Sequence, residues 1–378
     1  MTPELTPTEK SISEKSVENP ITTSITKLQD KKIVLPDIRK MTEAEIKLAL
    51  AASGEKPFRA KQIYEWLWQK SAMSFDEMTN LSKTFRVWLS ENFVLRPIII
   101  AEQQKSNDGT FKIAFRLHDN HLVEGVLIPT EDRMTACISS QVGCSLTCKF
   151  CATGYMARLR NLDAGEIYDQ VVLINRIAQE HYQMNVSNIV YMGMGEPMLN
   201  YANVLQSVEH LTSESGLNMS PKRITVSTAG VAKMIKKLGD DNVKFNLALS
   251  LHAANDEKRN QIMPINESNT LEALRDALKY YFQKTKNQVT YEYIVFANFN
   301  DTIKDAEELY QFSKHLPAKI NVIEYNPISE ADFVNADAKT MDKFCGYLER
   351  KGVNIHVRRS RGKDIDAACG QLAIKDRK

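Results

Sequence analysis

Cys144, Cys148 and Cys151 stand in a C-x3-C-x2-C array. Structural zinc usually takes four ligands arranged as two close pairs, and no second pair is available in this sequence. Three thiolates suit a [4Fe–4S] cluster better, because they hold three irons and leave the fourth open to bind a substrate. A zinc or purely structural site is the alternative. Three more cysteines fall outside this spacing. Cys137 precedes the array by seven residues, Cys345 lies in M-D-K-F-C-G-Y-L, and Cys369 lies in D-I-D-A-A-C-G-Q-L. Cys345 reads as a small buried hydrophobe. Cys369 has the small neighbours Ala367, Ala368 and Gly370, which leave its sulfur approachable. The basic run Arg358, Arg359, Arg361 and Lys363 precedes it. Such charge favours a thiolate and attracts phosphates.

These residues need a frame, and the hydrophobic pattern supplies one. Strands are expected at about 135–139, 188–192, 223–227, 244–250, 288–296 and 319–325, each followed by a segment of helical period. Six β/α units in succession imply a parallel sheet curled into a complete or partial barrel. Chemistry in such barrels collects at the C-terminal ends of the strands. The cysteine array follows the first strand. The second ends in Gly193-Met194-Gly195-Glu196-Pro197, whose glycines allow close backbone approach and whose carboxylate suits an ammonium group. The third ends at Ser227-Thr228, the fourth at Ser250-Leu251-His252 and the sixth at Asn326-Pro327. Each taken singly is an ordinary strand terminus; together they would form one rim.

The chain has 378 residues, with 49 Lys+Arg against 47 Asp+Glu, so any nucleic-acid partner must be held by local patches. Residues 1–38 read as a flexible tail, Ser/Thr-rich and with no aromatic residue before Pro36. Residues 39–95 read as a small helical accessory domain. It opens on a capping box at Thr42 to Glu45, continues through Ile63, Trp66 and Leu67, and ends in a third helix through Phe75, Met78, Leu81, Phe85 and Leu89. Residues 96–130 alternate with period two and read as a hairpin linker, 131–350 as the barrel, and 351–378 as a last strand with a basic segment. The run from Lys56 to Lys70 mixes cations with aromatics, as an RNA-contacting surface does, but its spacing equally fits a core face with a solvated basic side. No apolar run approaches the roughly 18 residues of a membrane span, and no secretory h-region is present. A cytoplasmic monomer is expected.

A C-x3-C-x2-C loop after the first strand of a β/α barrel resembles the radical S-adenosylmethionine (SAM) superfamily. There the amino and carboxylate groups of SAM chelate the open iron, and an electron from the cluster cleaves SAM to a 5′-deoxyadenosyl radical. More narrowly, C-I-S-S-Q-V-G-C-S-L-T-C-K-F-C, R-N-L-D-A-G-E-I, G-M-G-E-P, S-L-H-A and R-G-K-D-I-D-A-A-C-G-Q-L resemble the RlmN-type adenine-C2 RNA methyltransferases over nearly the whole ordered chain. The resemblance implies a partial (β/α)6 radical SAM barrel, a [4Fe–4S] cluster on Cys144, Cys148 and Cys151, and two SAM per turnover. SAM would contact Gly195, Glu196, Ser227, Ser250, Leu251, His252 and Asn326. Cys369 would carry a methyl group, Cys137 would resolve a covalent RNA adduct by forming a disulfide with it, and Glu124 would act as acid or base; by itself Glu124 reads as a solvated strand carboxylate. The substrate would be an adenosine in the peptidyl transferase region of 23S rRNA, with a tRNA adenosine just after the anticodon modified by some members. A flavodoxin or ferredoxin would supply electrons. The Cfr-type adenine-C8 enzymes and a non-catalytic iron–sulfur or zinc RNA-binding module are the rival readings. Ala157, Leu159 and Asn298 depart from the family pattern at positions where glycine is common.

Overall fold

The Thr42 hydroxyl accepts from Glu45 N, and the Glu45 carboxylate accepts from Thr42 N, so the expected capping box opens helix α1 (Glu43–Ala52). The computed structural model describes residues 35–374. The chain divides after Pro36, and the helices and strands of the described residues belong to the unit that begins at Asp37. Most of the expected tail and the last four residues of the basic segment lie outside the described residues. The boundary at 38 is late by two residues. Asp37 accepts from Arg39 N, while Ile38 is fully buried and donates to Val94 O, because its side chain is part of the core.

Helix α2 (Phe58–Trp68) turns Ala60, Ile63, Leu67 and Trp68 inward. Residues 75–89 do not form one helix. A 3-10 turn at Phe75–Glu77 stops, and α3 (Lys83–Asn92) begins afresh where the Ser82 hydroxyl accepts from Phe85 N. A serine cap outcompetes continuation of the apolar period. The helices share one continuous core with the barrel. Trp68 stacks on His210 with ring centroids 3.6 Å apart, and Arg39 makes a two-pronged ion pair with Asp169 at 2.7 and 2.8 Å.

Strands β1 (Ile99–Lys105), β2 (Phe111–Arg116) and β3 (Leu122–Pro129) form an antiparallel meander, one strand more than the expected hairpin. β1 exposes almost every residue as an edge strand and so lacks the period-two signal. On the other side of the meander β3 pairs antiparallel with β4 (Met134–Cys137), which makes the meander an extension of the barrel sheet and not a linker. The small ribbon of β5 (Gln141–Val142) and β6 (Arg160–Asn161) closes the neck of the segment carrying the three cysteines.

Helix α4 (Ala164–Tyr182), β7 (Asn188–Tyr191), α5 (Tyr201–Thr212), β8 (Ile224–Thr228), α6 (Ala232–Asp240) and β9 (Asn246–Ser250) come next. Then come α7 (Asp256–Ile262), α8 (Leu271–Thr285), β10 (Val289–Val295), α9 (Ile303–Ser313), β11 (Ala318–Glu324), α10 (Ala338–Arg350) and β12 (Ile355–Arg358). Among the described residues the main sheet runs β1-β2-β3-β4-β7-β8-β9-β10-β11-β12, parallel from β4 onward. β1 and β12 do not pair, so the barrel is partial and open, as expected. Asn298 adopts φ +59°, a left-handed turn that Asn tolerates in place of Gly. Cys345 is buried on α10.

Candidate active site

The three cysteines open onto one cavity at the C-terminal ends of the parallel strands. The loop that carries them is fixed from outside: Lys149 N donates to Ile262 O at 3.0 Å and Ala152 N to Gly370 O at 2.7 Å. Burial raises all three thiols, Cys144 to about 11, and a neighbouring cysteine adds to each rise, Cys151 acting on Cys144 and Cys148, and Cys369 acting on Cys151. A bound cation is what draws such groups into the thiolate form. Four thiolates on one zinc lie about 2.3 Å from it and hence ~3.8 Å from one another. Among the described residues no group of three His, Cys, Asp or Glu converges to hold a single ion. The three thiols open onto one cavity, and a [4Fe–4S] cluster would offer each its own iron.

The loop after β7, the C-terminal ends of β8 and β9 and the loop after β9 complete the cavity with Gly195, Glu196, Ser227, Ser250 and His252. Glu196 is buried, and its carboxylate accepts from Met198 N at 3.0 Å and Ala229 N at 2.7 Å, bridging two strand ends. Burial raises its pKa against the pull of those two N–H groups. Gly195 has φ +94°, and a Cβ there would stand 2.5 Å from Gln141 Cβ. Ser227 Oγ donates to Tyr191 O at 2.8 Å. His252 is pushed down to about 3 by burial and by Arg259, so it is neutral, and its Nδ1 accepts from Ile294 N at 3.1 Å.

Two members of the expected SAM set lie off this cavity wall. Leu251 is fully buried, with its N donating to Glu292 O and its O accepting from Arg259 Nε. Asn326 donates through Nδ2 to Cys369 O at 3.1 Å, while its Oδ1 is a buried acceptor with no hydrogen-bond partner among the described residues. A buried acceptor left unmet by the protein suits a donor on a bound ligand.

Cys369 is exposed and belongs to the walls of two cavities, the cysteine cavity and a smaller one that also holds Cys137. Met192, Ile323 and Arg358 are common to both. Burial pushes the Cys137 thiol up to about 12, and the charge of Cys369 adds to this. Enclosure by protein also raises the Cys369 thiol, with Arg358 opposing; its exposure lets water moderate the rise. The basic run therefore does not act on Cys369 as a block. Arg358 alone of the four faces it electrostatically, while Arg361 donates to Asp108 O and Pro129 O, and Lys363 pairs with Glu324 at 2.7 Å.

Glu124 is 4 % exposed, not solvated, and does not line the cysteine cavity. Its Oε1 lies 3.0 Å from Lys112 Nζ, and its Oε2 accepts from Ala373 N at 2.9 Å. It thus ties the meander to the segment that carries Cys369. Sequence reasoning missed three further residues at or behind the cavity. Glu292 on β10 lines it and lies 3.7 Å from Arg358 across the sheet. Met263 lines the apolar side. Arg259 is wholly buried behind the strand ends, yet it sits in D-E-K-R-N-Q-I, a run that reads as a solvated helix face.

Comparisons with known proteins agree with this geometry. Residues 37–95 match the model of the ribosomal RNA large subunit methyltransferase N-terminal domain, and residues 138–312 match the radical SAM superfamily. The chain is 62% identical over 339 residues to the "Probable dual-specificity RNA methyltransferase RlmN" of Cytophaga hutchinsonii, covering 90% of this chain and 93% of that protein. It is 43% identical over 342 residues to the protein of that name in Bacillus velezensis, covering 90% and 94%. The crystal structure of a radical SAM methyltransferase from Sphaerobacter thermophilus superposes with a TM-score of 0.84 at 40% identity, covering 89% of this chain and 99% of that one. Radical SAM proteins use a [4Fe–4S] cluster and SAM, and the donor set around the cysteine cavity fits both. The chain belongs to the RlmN family of SAM-dependent RNA methyltransferases, within the radical SAM superfamily.

Proposed function

We propose that this enzyme methylates C2 of an adenosine in the peptidyl transferase region of 23S rRNA, and the adenosine 3′ to the anticodon of tRNAs, through a methyl group carried on Cys369. The observation that carries this reading is the position of Cys369 in the walls of both cavities, one holding the cluster cysteines and one holding Cys137. Adenine C2 lies between two ring nitrogens and is electron-poor, so it does not displace the methyl of SAM. It accepts a nucleophilic carbon radical.

Cys144, Cys148 and Cys151 hold the cluster, and Gly195, Glu196, Ser227, Ser250 and His252 seat SAM, with Asn326 Oδ1 and the Leu251 backbone at its edge. Two SAM are consumed per turnover. The Cys369 thiolate, its proton lost to solvent, attacks the methyl of the first and releases S-adenosylhomocysteine. Cluster and second SAM, when bound, supply the hydrogen-abstracting chemistry that activates the S-methyl group. That carbon then bonds to C2. The adduct radical gives up one electron, which the bound cluster could take back, and Glu124 takes the C2 proton. The Cys137 thiolate then attacks the Cys369 sulfur, so that the S–C bond breaks, a Cys137–Cys369 disulfide forms, and the departing carbon takes up a proton to become the new methyl. A reductant such as flavodoxin or ferredoxin serves the cluster, and a reductant is needed to reopen the disulfide. The enzyme works as a cytoplasmic monomer; among the described residues no helix is long and apolar enough to cross a membrane.

On the helical region, Phe58 is exposed with Arg59 over its ring, and Lys70 stands 4.1 Å from the Trp66 ring centroid. These cation–aromatic pairs support an RNA contact there. Charge reversal at Arg59 and Lys61 is expected to weaken RNA binding with SAM cleavage intact, and unchanged affinity would remove the contact. The reading as a whole is tested by mass spectrometry of nucleosides from 23S rRNA and tRNA of a deletion strain with and without this gene. Restored 2-methyladenosine supports it. Restored 8-methyladenosine would move the enzyme to the C8 reaction, and no restored methyl with no 5′-deoxyadenosine from an intact cluster would leave an RNA-binding module.

A further inference from the structure

Arg259, on α7, has no accessible surface. Its guanidinium donates from Nε to Leu251 O at 3.0 Å, from one terminal nitrogen to Asn266 Oδ1 at 2.6 Å, and from the other to Ala229 O at 2.6 Å and Ser250 O at 3.0 Å. All four acceptors are neutral. Among the described residues no carboxylate forms an ion pair with it, unlike Arg39 with Asp169 or Arg160 with Glu166. A buried cation without an anion costs several kcal/mol. The carbonyl dipoles offset part of this, and burial still pushes its pKa down to about 10.

Of the anion-forming groups that act on Arg259, Cys148 exerts the largest pull, ahead of Asp256. The backbone shows how the two are coupled. Lys149, next to Cys148, donates from its N to Ile262 O, and Ile262 is the last residue of the helix that carries Arg259. Met263 N in turn donates to Arg259 O at 2.7 Å. The same guanidinium holds the carbonyls at the ends of β8 and β9, where Ala229 and Ser250 line the cavity. The cation is therefore built into the frame that positions the cysteine loop.

We propose that Arg259 is the resident countercharge of the iron–sulfur cluster and raises its reduction potential. This rests on the ligand role given to Cys144, Cys148 and Cys151. A [4Fe–4S] core held by three thiolates is net negative, and more so after it accepts an electron. A fixed positive charge behind it therefore favours the reduced form. Arg259 makes electron entry easier without touching SAM or RNA.

The test is an EPR-monitored redox titration of anaerobically reconstituted protein, compared at equal iron and sulfide content. Arg259→Lys keeps the charge and should titrate near the unchanged chain. Arg259→Gln removes the charge, keeps an amide to bond the carbonyls, and should titrate at a clearly more negative midpoint. Because Arg259→Gln could fail to fold, Asn266→Asp provides a second route: it keeps the arginine and puts a carboxylate where Oδ1 now accepts its N–H. Its midpoint should fall as well. An unchanged midpoint in the charge-altered chains, or a Lys variant shifted as far as the Gln variant, overturns the proposal. Failure of the unchanged chain to take up any cluster would instead remove the ligand assignment beneath it.

Discussion

Cys137 at the end of β4 and Cys369 in the C-terminal segment line one small cavity, and Arg358 at the end of β12 lines it with them. The first strand of the parallel sheet and the segment that follows its last strand thus bring the two cysteines to one cavity. If Cys369 carries the methyl and Cys137 releases it, Cys137→Ala should stop turnover after the bond to RNA has formed. A denaturing gel of end-labelled RNA should then show a covalent protein–RNA band in the variant and none in the unchanged chain. Free RNA as the only species, with normal SAM cleavage, counts against the role of Cys137.

The acidity of Cys137 gives that release step a pH dependence. Burial holds the thiol up at about 12, so at neutral pH it is almost wholly protonated. Below that value the thiolate fraction rises roughly tenfold per pH unit. Release should speed up with rising pH, and adduct should accumulate as pH falls. Quenched single-turnover reactions between about pH 6.5 and 8.5, begun with Cys369 already methylated, measure adduct lifetime directly. A lifetime that does not change with pH would mean that Cys137 does not attack as a solvent-equilibrated thiolate.

Much of this site was legible in the sequence because its residues sit at strand ends, where a short apolar run stops and a polar one begins. Gly195, Ser227, Ser250 and His252 stand out that way and line the cavity together with the cysteine array. The misses have physical causes. β1 is an exposed edge with no alternation to detect. Arg259 lies in a polar heptapeptide whose burial depends on Ala229, Ser250, Leu251 and Asn266, all outside its own helix and none signalled locally. The Arg39–Asp169 pair joins residues far apart in the chain, and charge alone does not say which partners meet. Glu124 looked solvated because its buried partner Lys112 reads as the polar half of an alternating strand.

The Arg39–Asp169 pair makes a stability prediction. Both side chains are almost fully buried, and Asp169 also accepts from Ile98 N at 3.1 Å. Arg39→Ala leaves a buried carboxylate without its cation, and breaking such a pair costs about 3–5 kcal/mol. Urea unfolding of the variant should show that loss, with the helical region released first. Replacing both residues by apolar ones of similar volume should cost much less than the single change. A single-variant loss below ~1 kcal/mol would show that the ion pair does not anchor the helices to the barrel.

Gly195 tests the SAM seat without removing any functional group. At φ +94° an alanine is strained by about 1–3 kcal/mol, and its methyl would meet Gln141 Cβ at 2.5 Å and Gln141 N at 2.9 Å. Neither Gln141 atom can withdraw easily, because Gln141 is wholly buried in β5, its N donates to Met194 O and its Oε1 accepts from Glu196 N at 2.8 Å. The loop must therefore yield, and it takes the Glu196 carboxylate with it. Gly195→Ala should lose at least tenfold in SAM affinity, equivalent to about 1.4 kcal/mol. Equilibrium dialysis of anaerobic cluster-loaded protein reads the affinity, and circular dichroism checks that the barrel is intact. Undiminished binding in a folded, cluster-loaded variant would place SAM away from this loop.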